Sequence, residues 1–175
     1  MKLVANLLYG LVTANKFIGK CFAPLALFMA IGTVIIVLLR YGWGIGAIDL
    51  QEAVLYAFAT LWWLCAPLTL SDDGHVRVDI FYRKSNIRMK RSINFFGHCC
   101  LLIPTCVLLI GLSWRYVLTS WTLQETSTEP GGLPFLYILK SLLLVGPAFM
   151  CLHAVLLSLL CIHEEIFQRY NKRAP

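Results

Sequence analysis

His98 and His153 are the two residues of this 175-residue chain whose type and spacing come nearest to a cofactor site. Each lies inside a long apolar stretch, and antiparallel helices would bring both imidazoles to similar depth. Two histidines on facing helices can ligate a haem, as in membrane b-type cytochromes, which would make the chain a haem- or quinone-associated membrane anchor of a respiratory complex. A polar side chain hydrogen-bonded between helices is the commoner arrangement and needs no cofactor. His75 and Asp79 would be neighbours on a helix, but one imidazole and one carboxylate make a poor zinc set, with no cysteine or second histidine close in sequence. Gly74 more simply ends a helix there, with Arg77 and Asp79 forming charge pairs at an interface. Gly42, Gly44 and Gly46 spell GxGxG without a preceding strand, which removes the dinucleotide reading. The seven cysteines contain no Cys-x-x-Cys pair and read as small apolar residues within or beside apolar runs. No nucleophile lies beside a base. The expectation is a protein without cofactor, metal or catalytic site.

The remaining chemistry is carried by charges at the ends of apolar runs. Asp49-Leu-Gln-Glu52 has the spacing of a capping box, in which Asp49 caps a helix and Glu52 returns to the cap amide. The same residues also suit a contact surface for a partner. The stretch from Gln124 to Pro134, QETSTEPGGLP, carries Glu125 and Glu129 beside a Pro130-Gly131 turn signal, and Pro134 suits the first position of a helix. Arg115 and Lys140 fall in the neighbouring apolar runs, close enough to pair with those acids. Ionisable groups in such runs are functional candidates, although long basic side chains near helix ends also snorkel to the interface.

The elements that must position these groups follow from composition. Hydrophobic residues make up 59% and charged residues 14%, whereas a soluble domain carries about 25% charged residues to cover its surface. Lipid must therefore be the solvent. About 20 apolar residues cross a bilayer as a helix, and four segments qualify: 22–39, 53–70, 93–121 and 134–162. The last two approach 30 residues, about 45 Å of helix, so they tilt or project. All 15 basic residues except Arg40, Arg115 and Lys140 fall in the N-terminal segment, the link between helices two and three, or the C-terminal tail. By the positive-inside rule both termini face the cytoplasm, and the charge of +6 belongs to a membrane face rather than to nucleic acid. Tyr41, Trp43, Trp114, Trp121, Phe135 and Tyr137 form the opposite, outer aromatic belt. Pro67, Pro104 and Pro147 should bend their helices, while Pro24 lies near a helix start. Residues 1–20 read as an amphipathic helix on the inner face, and the link from Val76 to Arg91 as a second interfacial segment. The fold class is all-α, a single membrane domain of four transmembrane helices.

GHVRVDIFYRK (Gly74 to Lys84), Ser120-Trp121, EPGGLP (Glu129 to Pro134) and the following Lys140 occur in an order that resembles the small, Q-type membrane subunit of tripartite ATP-independent periplasmic (TRAP) transporters. Arg40-Tyr41 and Gln51-Glu52 match the same pattern, and the resemblance covers about residues 20 to 162. It implies a sodium-coupled uptake system of the bacterial inner membrane. In that system a periplasmic binding protein captures an organic acid or related solute, and a large membrane subunit carries it inward by an elevator movement. The small subunit is then a scaffold that binds no substrate. Under this resemblance Glu125, Ser127, Glu129, Gly131 and Gly132 are candidates for periplasmic docking. Arg40, Glu52, Arg77, Asp79, Arg115 and Lys140 are candidates for orienting the subunit or meeting its partner.

Overall fold

The computed structural model describes residues 2–71 and 86–171. The described elements are all helical: α1 (Lys2–Phe22), α2 (Leu25–Gly42), α3 (Ile48–Ser71), α4 (Ile87–Phe96), a π-helical turn (Gly97–Leu102), α5 (Ile103–Thr122) and α6 (Leu136–Asn171). Four stretches among them are long and apolar enough to cross a membrane: Leu8–Gly42, Ile48–Leu70, Met89–Thr122 and Leu136–Ile162. That is the number the hydropathy pattern predicts. The link carrying His75, Arg77 and Asp79 lies outside the described residues.

α1 gives way to α2 at Ala23-Pro24. Pro24 has no N–H to continue the first helix, but its fixed φ of −60° starts the second, and the Phe28 N–H bonds its carbonyl at 3.2 Å. α1 does not stand apart from the bundle. Val12 packs with Leu156 and Leu160 of α6, and the Cys65 thiol of α3 donates to the Gly19 carbonyl at 3.2 Å. α1 therefore packs across both α3 and α6. At the other end of α2, Gly44 takes φ +68°, and the Ile45 N–H returns to the Leu39 carbonyl at 3.0 Å. The glycine triplet thus includes a helix stop, which fits its place in a connection.

Pro104 explains the π turn. Proline cannot donate to the carbonyl four residues back, and its ring crowds that carbonyl. The helix widens just before it, so that the Ile103 N–H reaches the His98 carbonyl five residues back. Pro67 and Pro147 lie inside α3 and α6, both buried.

α6 is the central helix, packed against α1, α3, the π turn and α5. Its Met150 meets Leu70 and Cys106 in a buried cluster, and His153 and Ala154 are fully enclosed. Small residues set the close approaches, as expected where lipid supplies little hydrophobic force between helices. A Cβ on Gly32 of α2 would lie 2.7 Å from Val54 of α3, and one on Gly146 of α6 would fall inside the Trp63 indole. All seven cysteines are free. Cys106 is buried as its sequence context suggests, but Cys21 and Cys100 are exposed, because each lies on a helix face that no other described element covers.

Candidate functional site

The connection between α5 and α6 is built by two turns and two carboxylates. α5 ends in a Schellman motif: the Glu125 N–H bonds the Ser120 carbonyl at 3.1 Å and the Gln124 N–H bonds that of Trp121 at 3.3 Å. The residue in the left-handed position is Gln124, φ 48°, where glycine is usual. The second turn is Glu129-Pro130-Gly131-Gly132. Pro130 presets its first corner, Gly131 at φ 83° makes its second, and the Gly132 N–H bonds the Glu129 carbonyl at 3.0 Å. This is a type II turn, and its second corner requires a residue that tolerates positive φ. The Ser127 N–H then bonds the Leu133 carbonyl at 3.2 Å and closes the loop on itself.

Glu52 fastens this loop to α3. One carboxylate oxygen accepts the Ser127 hydroxyl, and the other accepts the Leu133 N–H at 2.6 Å. The Ser127 oxygen in turn accepts the Glu129 N–H at 3.2 Å. Gly132 has to be glycine for lack of space, since a Cβ there would collide with the Ser127 Oγ and lie 2.7 Å from a Glu52 oxygen. The capping-box reading of Asp49 and Glu52 is therefore corrected. The Gln51 N–H bonds the Ala47 carbonyl at 3.1 Å, so α3 begins before Asp49 and places it inside the first turn rather than at the cap. Glu52, one turn further on, is turned toward residues about 80 positions downstream.

Glu125 fastens the loop to α5 and α6. Its carboxylate accepts the Ser120 hydroxyl at 2.7 Å and pairs with Lys140 at 2.5 Å. The Lys140 ammonium also lies over the Tyr116 ring, 4.2 Å from its centre. Beside this pair the Trp121 indole donates to Ser141 at 2.7 Å and meets the Tyr137 ring edge-on at 4.8 Å. The hydrogen bond from Lys140, and after it that from Ser120, hold the Glu125 carboxyl below its ordinary value of 4.5. A carboxylate with a lowered folded pKa adds stability that is complete above the unfolded value and is lost as pH falls through the folded one. Hydrogen exchange of the loop amides, corrected for intrinsic rates, should therefore quicken as pH drops below 4.5. Glu125→Gln should quicken it already at neutral pH and flatten the dependence.

The other candidates are distributed more widely. Glu129 is exposed at the tip of the loop. Arg40 is exposed in the last turn of α2. Arg115 faces outward on α5 and forms no ion pair with Glu125 or Glu129, because Lys140 on the inner side of the same loop has taken Glu125. Ser120, Tyr116 and the Leu133 N–H complete the clasp; Ser120 and Leu133 belong to motifs of the family resemblance, but none of the three is a candidate site residue by sequence. Ser120 had a signal, lying five residues before Glu125, which is the span a Schellman motif closes. A groove of about 720 Å³ runs down the flank of α2 and α3 from this loop, lined by Met29, Ile48, Gln51, Leu55 and Phe58 with Glu52 and Glu129 at its mouth.

His98 lies half-buried in the π turn, and His153 is fully enclosed on α6. Among the described residues no three His, Cys, Asp or Glu side chains gather where a metal ion could be held.

No curated protein and no solved structure matches the chain. The family model for tripartite ATP-independent periplasmic transporters, DctQ component, matches residues 29–163. This match takes in all four of the apolar crossings in part or whole, together with the loop fastened by Glu52 and Glu125. The chain is a membrane protein of several apolar helices and a transporter component rather than an enzyme, and it belongs to the DctQ family, the small membrane subunits of TRAP transporters.

Proposed function

We propose that this chain is the static scaffold of a sodium-coupled TRAP importer in the bacterial inner membrane, taking up an organic acid or related solute. Both termini face the cytoplasm, and the loop between α5 and α6 faces the periplasm. The observation that carries this reading is the double fastening of that loop. Glu52 ties it to α3, and Glu125 ties it to α5 and α6, so the segment that would meet a binding protein is held on three helices at once. A segment held in this way suits recognition, because little ordering remains to be done when a partner arrives. Glu129, Gly131 and the turn between them stand at its exposed tip. The basic residues at the opposite ends of the helices support the assigned orientation.

A scaffold has no need of a transport pathway of its own. Secondary carriers build their sites from paired broken helices at mid-membrane depth. Here the charged pair Glu125–Lys140 lies at one end of the bundle and is already self-neutralised. Membrane vesicles test the proposal directly. Vesicles holding only this chain should take up no solute under a sodium gradient. Uptake should appear when the large membrane subunit and the periplasmic binding protein are both supplied. Uptake by this chain alone would overturn the scaffold reading, and so would full uptake by the large subunit and binding protein without it.

A further inference from the structure

α3 carries an exposed aromatic pair where lipid is a poor neighbour. Trp62 lies 14 positions after Ile48, about 21 Å along the helix at 1.5 Å per residue and so within a hydrocarbon core about 30 Å thick. It is 66% exposed. Phe58, one turn above it, is 49% exposed, and the two rings lie 6.2 Å apart. Tryptophan favours the membrane–water interface because its ring is apolar and its N–H needs an acceptor. Trp121 meets that need with Ser141. The Trp62 indole donates to no acceptor among the described residues, and acyl chains offer none.

α5 is also open, with Trp114 and Tyr116 each 52% exposed, but its Leu108–Leu112 stripe presents only aliphatic carbon, which lipid covers without cost. The flank of α3 also has a mouth of distinct chemistry. The groove beside Leu55 and Phe58 opens under Glu129, whose carboxylate is not engaged by the clasp that holds the loop.

We infer that the Leu55–Phe58–Trp62 flank of α3, with its groove against α2, is the surface that receives a transmembrane helix of the large carrier subunit. This inference rests on the proposed assembly with that subunit and assigns the face that makes it. The occupant is defined by chemistry. At the depth of Phe58 and Trp62 it presents small residues that let the rings pack, with a hydroxyl or backbone carbonyl to accept the indole N–H. At its outer end it carries a Lys or Arg opposite Glu129.

Photo-crosslinking in the co-expressed complex of the two membrane subunits tests the assignment. A benzophenone amino acid replaces Leu55 or Phe58 in one set of variants and Leu108 or Leu112 in the other. The expected result is an adduct with the large subunit from positions 55 and 58 and lipid labelling alone from 108 and 112. Trp62→Leu should lower the adduct yield from position 55 by roughly fivefold, the effect of one interhelical hydrogen bond in a membrane. Adducts from 108 and 112 instead, or lipid labelling alone at 55 and 58 in a complex that still co-purifies, overturn the face assignment and leave the assembly standing. Subunits that do not co-purify in mild detergent overturn the assembly itself.

Discussion

Glu52→Ala is expected to detach the α5–α6 loop from α3 and to abolish any recognition that depends on its shape. The carboxylate accepts a hydroxyl on one oxygen and a backbone N–H on the other. Hydrogen bonds to a charged group contribute about 1.5–3 kcal/mol each, so the loss should be about 3–6 kcal/mol of local stability. It should be confined to residues 124–134, since α3 itself keeps its backbone bonds. Glu52→Gln should cost less. Its carbonyl oxygen can still accept the Leu133 N–H while its amide donates to the Ser127 oxygen, but the charge that strengthens both bonds is gone. Gly132→Ala should reproduce much of the Glu52→Ala effect from the opposite side, because its methyl group would collide with the Ser127 side chain and with the Glu52 oxygen bonded to it, forcing the pair apart. Hydrogen exchange of the loop amides separates the variants: protection should fall most in Glu52→Ala and least in Glu52→Gln. Unchanged protection in both Glu52→Ala and Gly132→Ala would show that the loop is held by other means.

The features legible in the sequence are those that depend on near neighbours or on bulk solvent preference. Four apolar crossings follow from composition, and the corner at Pro130-Gly131 follows from turn chemistry confined to four residues. The pairing of Lys140 with an acid of the loop was also within reach, because Glu125 and Lys140 flank one connection. Glu52 shows where such reasoning stops. Its local spacing to Asp49 fits a capping box, and nothing within ten residues signals that its partners are Ser127 and Leu133. Local hydrogen bonds compete with distant ones, and the outcome was decided by α3 starting at Ile48, before the expected cap. Gln124 is a similar case. A left-handed glutamine at a helix end has no sequence signature, whereas glycine there would have announced the motif. The centrality of α6 was equally hidden, since all four crossings are apolar and lipid-facing and protein-facing leucines look alike. Trp62 and Phe58 were hidden for the same reason: only packing reveals which aromatic residues a chain leaves uncovered.

The same closeness that makes α6 central makes Gly146→Val the other variant with a large expected effect. The Trp63 indole lies against the Gly146 backbone so tightly that a single Cβ there falls within the ring. The ring cannot swing away freely, because Trp63 is half-buried between helices and the neighbouring Pro147 is fully enclosed. α3 and α6 would have to separate, and overpacking a well-filled contact costs about 1–3 kcal/mol. The upper end of that range is expected, because backbone rather than a flexible side chain must move. Trp63→Leu should be destabilising alone through the lost ring contacts, yet it makes room for the valine. The double variant should therefore recover stability relative to the sum of the two single losses, with a coupling of about 1–3 kcal/mol. Gly111→Ala supplies the contrast, since a Cβ on that glycine of α5 meets nothing within 4 Å, and alanine favours the helix by up to about 1 kcal/mol. Thermal unfolding in one detergent measures all four. Additive losses at 63 and 146 would mean that the two residues do not share the contact; the geometry requires that they do, because the space a methyl group needs at 146 is the space the indole already fills.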